Sequence, residues 1–169
     1  MSEFLVNVAD LLHHAGARRA VSIEAPLPGL DVGAAHIDAP VSCNVQLEQV
    51  SEGILARGEV AGTWNADCSR CLIAISRPFS VRMAELFETS PAEGETYPLV
   101  DETIDLDAPM RDAIAAALPV APLCREDCQG LCPICGIDRN SQTCTCSFET
   151  TDPRWDALSA LNISSDEPN

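Results

Sequence analysis

Residues 41–71 read VSCNVQLEQVSEGILARGEVAGTWNADCSRC, and the architecture follows from their periodicity. Val41, Cys43, Val45 and Leu47 fall at every second position, the period of a strand with one face in a core. Ser51-Glu52-Gly53 supplies a short turn in which glycine can take a positive φ. Residues 54–64 resume as a strand, with Gly58 and Gly62 leaving room for a bulge or a close backbone approach. A tight loop is expected over 65–70 and a third long strand over 72–87, with Pro78 as a local interruption. Three strands joined by short turns make an antiparallel meander, in a chain of α+β class whose sheet could curl into a partly open barrel.

The flanks are read from this meander outward. Residues 1–40 form an N-terminal strand and helix segment packed on the core: Phe4, Val6 and Val8 alternate, a helical turn fits 9–15, and a further strand fits 18–26. Residues 88–107 carry many carboxylates and no basic residue, and are expected to be a mobile acidic loop with a short strand at 97–100. Residues 108–162 hold a helix over 109–118 capped by Asp107, with Met110, Ile114 and Leu118 on one face. They also hold a cysteine-rich stretch and a last helix opening at Asp152-Pro153, before a tail at 163–169. That makes one or two short helices and a zinc-knuckle C-terminal segment beside the sheet.

A chain of 169 residues is long enough to bury a core without covalent staples. No apolar run approaches the roughly 20 residues a membrane helix needs, and the N-terminus lacks a secretory pattern. A cytoplasmic protein with no membrane association is expected. The charge is lopsided: 26 acidic residues face ten basic ones, a formal net of −16. All ten are arginine. Such a field repels nucleic-acid phosphates and favours a basic partner. RNA contact is therefore disfavoured, unless Arg18, Arg19, Arg57, Arg77 and Arg82 gather on one face.

Nine cysteines are too few for a disulfide scaffold of this length, and eight of them fall in two groups. Cys68-Ser-Arg-Cys71 and Cys132-Pro-Ile-Cys135-Gly136 are C-x-x-C knuckles, whose two-residue spacing lets both sulfurs face one ion. Cys124, Cys128, Cys144 and Cys146 complete a set of eight ligands, enough for two closed zinc sites. The contiguous set Cys132, Cys135, Cys144 and Cys146 could close one, leaving Cys68, Cys71, Cys124 and Cys128 for the other. The alternatives are a single ion held by Cys124, Cys128, Cys132 and Cys135, or no metal at all. Two zinc ions bound by thiolates would take the net charge from −16 to about −20, with Arg70 and Arg125 placed to compensate. Iron is the less favoured occupant, because the C-P-x-C-G knuckle serves both metals.

Catalytic signals are thin. A closed four-cysteine site leaves no open position for substrate. His13, His14 and His36 lie far along the chain from the cysteines, Cys43 reads as a small core residue, and no nucleophile–base array appears. No enzyme is expected.

The runs Gly58-Glu-Val-Ala-Gly62, Cys68-Ser-Arg-Cys71-Leu72, Glu85-Leu-Phe87, Ile104-Asp-Leu106, Ala117-Leu-Pro119 and Pro122-Leu-Cys124 stand in a recognisable order. With Asp127-Cys-Gln-Gly-Leu-Cys-Pro-Ile-Cys-Gly136, Asn140 and Asp152-Pro-Arg-Trp-Asp-Ala-Leu158, the chain resembles the YceD family over about residues 40–162. The resemblance implies a non-enzymatic cytoplasmic factor in ribosome biogenesis, needed for accumulation of the large-subunit (23S) ribosomal RNA. Its partner would be a large-subunit precursor or a basic ribosomal protein, with bL32 a candidate. The alternative, from a different class, is a thiol-based redox or metal-handling protein, such as a rubredoxin-like or zinc/iron carrier.

Overall fold

The computed structural model describes residues 2–91, 93–147 and Arg154. The chain divides into two compact units, Met1–Gly130 and Leu131–Asn169. The first unit holds every named strand and helix. Its strands are β1 (Leu5–Asn7), β2 (Arg18–Ala25), β3 (Asp31–Val32), β4 (Ala35–His36), β5 (Val41–Gln49), β6 (Ile54–Asp67), β7 (Ala74–Glu88), β8 (Tyr97–Val100) and β9 (Thr103–Asp105). Its helices are α1 (Ala9–Leu12) and α2 (Asp107–Ala117).

Antiparallel pairing of β5 with β6 and of β6 with β7 runs without a break, from Gln49 opposite Ile54 to Asp67 opposite Ala74. β2 adds to the far side of β5 over eight residue pairs. Beyond the end of β5, the small β3–β4 hairpin takes up the same edge of β6 through His36 and Asn65. On the other side, β8 joins the end of β7 in parallel, β9 pairs with β8, and β1 closes that flank on β9. β1 and β2 are not paired with each other, so the sheet stays open.

One face of this sheet is the core. Val41, Cys43, Val45 and Leu47 are all buried, as their alternation requires, together with Ile54, Ala56, Val60, Ile75, Met83 and Phe87. Phe4, Val6, Val8 and Leu11 of the N-terminal segment and Met110, Ile114 and Leu118 of the α2 region are buried in the same core. Each large side chain so buried is worth about 1.5–3 kcal/mol of transfer free energy, which is why the N-terminal residues belong to the body of the fold. The Phe87 ring meets Tyr97 with centroids 5.7 Å apart, fixing β8 against β7.

Several local expectations need correction. β6 runs on to Asp67 and β7 begins at Ala74, so the connecting loop is 68–73 rather than 65–70. Leu72 and Ile73 are apolar but 65% and 58% exposed, because the cysteine knuckle takes up their backbone: Leu72 N–H donates to the Cys68 carbonyl and Cys68 N–H to that of Ile73. Pro78 does not interrupt β7. It sits opposite Thr63 where β7 has no strand on its other side, so the missing N–H can face outward without breaking the ladder. The acidic stretch 88–107 carries β9 as well as β8, with Asp101 and Glu102 at φ of +48° and +58° making the tight turn between them. Asp107 is the first residue of α2 rather than its cap; its N–H is held by Asp105 Oδ1 at 3.0 Å. The helix expected from Asp152 lies outside the described residues.

Gly58 and Gly62 differ in what surrounds them. A Cβ on Gly58 would lie 2.1 Å from the Asn44 carbonyl oxygen and 2.6 Å from the Val45 Cα, both backbone atoms of β5. A Cβ on Gly62 would meet mainly the Phe79 ring, at 2.9 Å, and a ring can turn away. Gly58→Ala should therefore lose at least about 2 kcal/mol of stability in urea unfolding, and Gly62→Ala clearly less. Equal losses would mean that β5 can retreat from β6.

Candidate metal centres

The first group is built by the link between β6 and β7 and by the segment after α2. Cys68 ends the ladder at Asp67, and the turn to Cys71 is closed by Leu72, whose φ of +60° lets the chain fold back over the sulfurs. Ser69 N–H donates to the Pro122 carbonyl at 2.8 Å, which ties this turn to the segment carrying Cys124 and Cys128. The four Sγ atoms of Cys68, Cys71, Cys124 and Cys128 all lie within 4.8 Å of one another. Cys68 Sγ is 3.8 Å from Cys128 Sγ, and Cys71 Sγ is 3.6 Å from Cys124 Sγ. A disulfide needs about 2.05 Å. A tetrahedral ion with metal–sulfur bonds of about 2.3 Å sets its sulfurs roughly 3.8 Å apart. The spacing suits a shared cation and not a cross-link.

The second group stands in the other unit. Cys132 N–H donates to the Ile137 carbonyl and Gly136 N–H to that of Cys132, both at 2.8 Å, while Gly136 takes a φ of +72°. Leu131 bridges Asp138, and the Asp138 carbonyl accepts from the backbone of Ser141 and Gln142, turning the chain back toward Cys144 and Cys146. The Sγ atoms of Cys132, Cys135, Cys144 and Cys146 also lie within 4.8 Å of one another. The eight cysteines are thus gathered four and four, and the grouping Cys124, Cys128, Cys132 and Cys135 is not among those brought together.

The electrostatics of each group are uneven. Burial resists ionisation of Cys68, yet the backbone N–H groups of Cys124, Arg70 and Cys71 outweigh it and lower the thiol to about 6. Backbone N–H groups of Cys135 and Ile134 bring Cys132 to about 6 despite its burial. Cys124 goes the other way, up to about 12, through burial and the neighbouring Cys128, Cys71 and Cys68 sulfurs. Cys146 also rises to about 12, chiefly through Cys135 and burial. One thiolate per group forms readily, while ionisation of Cys71, Cys124, Cys144 and Cys146 is opposed; a central dication would reverse that opposition, since the ligand form of cysteine is the thiolate.

Two arginines steady the first group from outside. Arg70 Nη1 donates to the Cys128 carbonyl at 2.8 Å and Arg77 Nη2 to the Cys124 carbonyl at 2.7 Å. Arg70 stands beside a ligand in the sequence and is found there. Arg77 gives no such sign, because it lies on β7, far along the chain from the cysteine it approaches. Arg125 pairs with Asp127 at 3.3 Å. Of the five arginines considered for a basic face, Arg18, Arg57 and Arg82 share the outer face of the sheet by register, with Glu24, Glu48 and Glu59 set among them. Arg19 instead reaches Asp10 and the Asn7 carbonyl. Cys43 is fully buried in the core, and its thiol is pushed up to about 11 by that burial. No described helix is long and apolar enough to cross a membrane.

The family model described as "Large ribosomal RNA subunit accumulation protein YceD" matches residues 56–162, which takes in both cysteine groups. Among curated proteins, the chain is 39% identical over 137 residues to the "Uncharacterized protein Rv2926c" of Mycobacterium tuberculosis, covering 77% of this chain and 66% of that protein. It is 36% identical over 115 residues to the "Uncharacterized protein ML1660" of Mycobacterium leprae, covering 64% of this chain and 53% of that one. The chain thus spans two thirds or less of the length of these relatives. No solved structure matches.

Because each group draws its sulfurs from one unit, the two should fail separately. Cys71→Ser is expected to halve the metal bound per chain and to speed amide exchange over 68–73 and 120–130. Cys135→Ser should also halve it, with faster exchange confined to 131–146. Metal content by plasma mass spectrometry and exchange by mass spectrometry check both; loss of both ions from either variant would contradict separate sites.

Proposed function

The chain belongs to the YceD family, and from that premise we propose that it is a non-enzymatic cytoplasmic factor that supports accumulation of the large-subunit ribosomal RNA by binding a basic ribosomal protein or an assembly intermediate. In this reading Cys68, Cys71, Cys124 and Cys128 hold one zinc ion, and Cys132, Cys135, Cys144 and Cys146 a second. Four thiolates per ion make closed sites, which contribute folding free energy and leave no position for a reacting substrate.

The observation that carries the choice of partner is where the arginines are spent. Against 26 carboxylates, Arg18 is paired with Glu48, Arg19 with Asp10, Arg111 with Asp107 and Arg125 with Asp127. Arg70 and Arg77 donate to backbone carbonyls, and Arg57 and Arg82 stand on the outer face interspersed with Glu24, Glu48 and Glu59. Cations turned to the protein's own groups are poor phosphate clamps, and the surplus that faces outward is acidic. Such a surface attracts a basic polypeptide over a long range at low salt. The carboxylates of 88–107, presented on and around the β8–β9 hairpin, offer a phosphate-like face for it.

Affinity purification from cells at low and high salt, with protein and RNA in the eluate both identified, tests this. Basic large-subunit proteins are expected at low salt and should fall away as salt rises, with bL32 a specific arm of the search. Recovery of RNA alone, with no protein partner, would overturn the proposal.

A further inference from the structure

β2 is an edge strand with unusual exposure. Among the described residues it pairs only with β5, so one side of an eight-residue strand presents unused N–H and C=O groups. Natural edges of this length are commonly blunted by lysine, proline or a bulge. β2 has none of these three: its ladder with β5 runs in unbroken register, its middle reads Ala20-Val21-Ser22-Ile23, and its charges stand only at the ends, with Glu24 at one and Arg18 and Arg19 at the other. Arg19, on the inner face, is held by Asp10 and the Asn7 carbonyl. Val21 and Ile23, on the core side, are only half-buried.

From this pattern we propose that two copies of the chain associate by antiparallel pairing of their β2 edges, centred on Val21, so that the two sheets become one. Charge and parity together select the arrangement. Residues opposite each other in a ladder must share a face, and β2 side chains alternate between faces. Centring on Val21 sets Arg18 of one copy opposite Glu24 of the other on the outer face, twice by symmetry, with Ala20 opposite Ser22 between them. Arg18 also meets Glu48 of its own chain at 2.7 Å, so that one guanidinium faces both carboxylates. On the inner face Val21 meets Val21, and Arg19 meets Ile23 rather than a like charge. Parallel pairing in register would oppose Arg18 to Arg18. Moving the centre by one residue in either direction leaves Glu24 without an arginine opposite it. An opposite-charge pair directly across a ladder is favourable and a like-charge pair unfavourable.

The interface is small. Two eight-residue strands bury less than the roughly 1,200 Å² of a standard stable complex, so a weak, concentration-dependent dimer is expected. The inference stands apart from the ribosomal reading, since it uses neither the cysteines nor the acidic hairpin.

Sedimentation equilibrium from about 1 to 300 µM, with hydrogen exchange at both ends of the range, tests it. The expected result is a monomer–dimer equilibrium in which every second amide of β2 gains protection at high concentration. Glu24→Arg and Arg18→Glu should each weaken self-association about five- to thirty-fold, because each places like charges opposite each other twice. A one-to-one mixture of these two variants should associate again, since in the mixed pair every acidic side chain at these two positions faces a basic one. A chain that stays monomeric throughout, a dimer whose β2 amides exchange as in the monomer, or β2 protection that arises only on adding a basic protein would overturn the proposal.

Discussion

Four cysteine sulfurs held within 4.8 Å of one another repel as soon as more than one of them ionises. The backbone nonetheless aims donors at them: N–H groups converge on Cys68 and on Cys132 strongly enough to bring each thiol to about 6. A chain that gathers four thiols and favours ionisation of one in each group, while raising others beside it, offers an arrangement that a cation could complete. In the first unit the cation would sit between the link joining β6 to β7 and the segment after α2, stretches more than fifty residues apart in sequence that are otherwise joined by the Ser69–Pro122 hydrogen bond and the Arg70 and Arg77 contacts.

The sheet and the centre support one another. The long ladder of β6 and β7 delivers Cys68 and Cys71 at a defined tip, and the buried face of α2 fixes where the chain emerges toward Cys124. The guanidinium groups of Arg70 and Arg77 donate to the Cys128 and Cys124 carbonyls, where their charge would offset that of a thiolate-bound ion. Elsewhere Arg18, Arg19, Arg111 and Arg125 pair with the protein's own carboxylates, and the chain as a whole carries a formal net charge of −16.

Much of the fold is legible in the amino-acid sequence. The alternation from Val41 to Leu47 is a direct record of a strand with one buried face, and the spacing of the eight cysteines pointed to two groups of four as one of its readings. The misplacements have specific causes. Leu72 and Ile73 look like strand residues because they are apolar, but their backbones are committed to the knuckle. Pro78 looks like a breaker, but the open side of β7 absorbs the missing donor. The hairpin of β8 and β9 was hidden because its turn uses Asp101 and Glu102 at positive φ in place of the glycine or asparagine that announces such turns. No local pattern could have linked Arg77 to Cys124, since only the closure of the tertiary structure brings them together.

Native mass spectrometry of the purified chain, taken before and after chelation and paired with amide exchange, addresses the central claim most directly. The expected result is a mass increment of two zinc ions, lost on chelation together with protection over 68–73, 120–130 and 131–146, while β5, β6 and β7 keep theirs. A reduced, metal-free chain showing the same protection in those segments would contradict it.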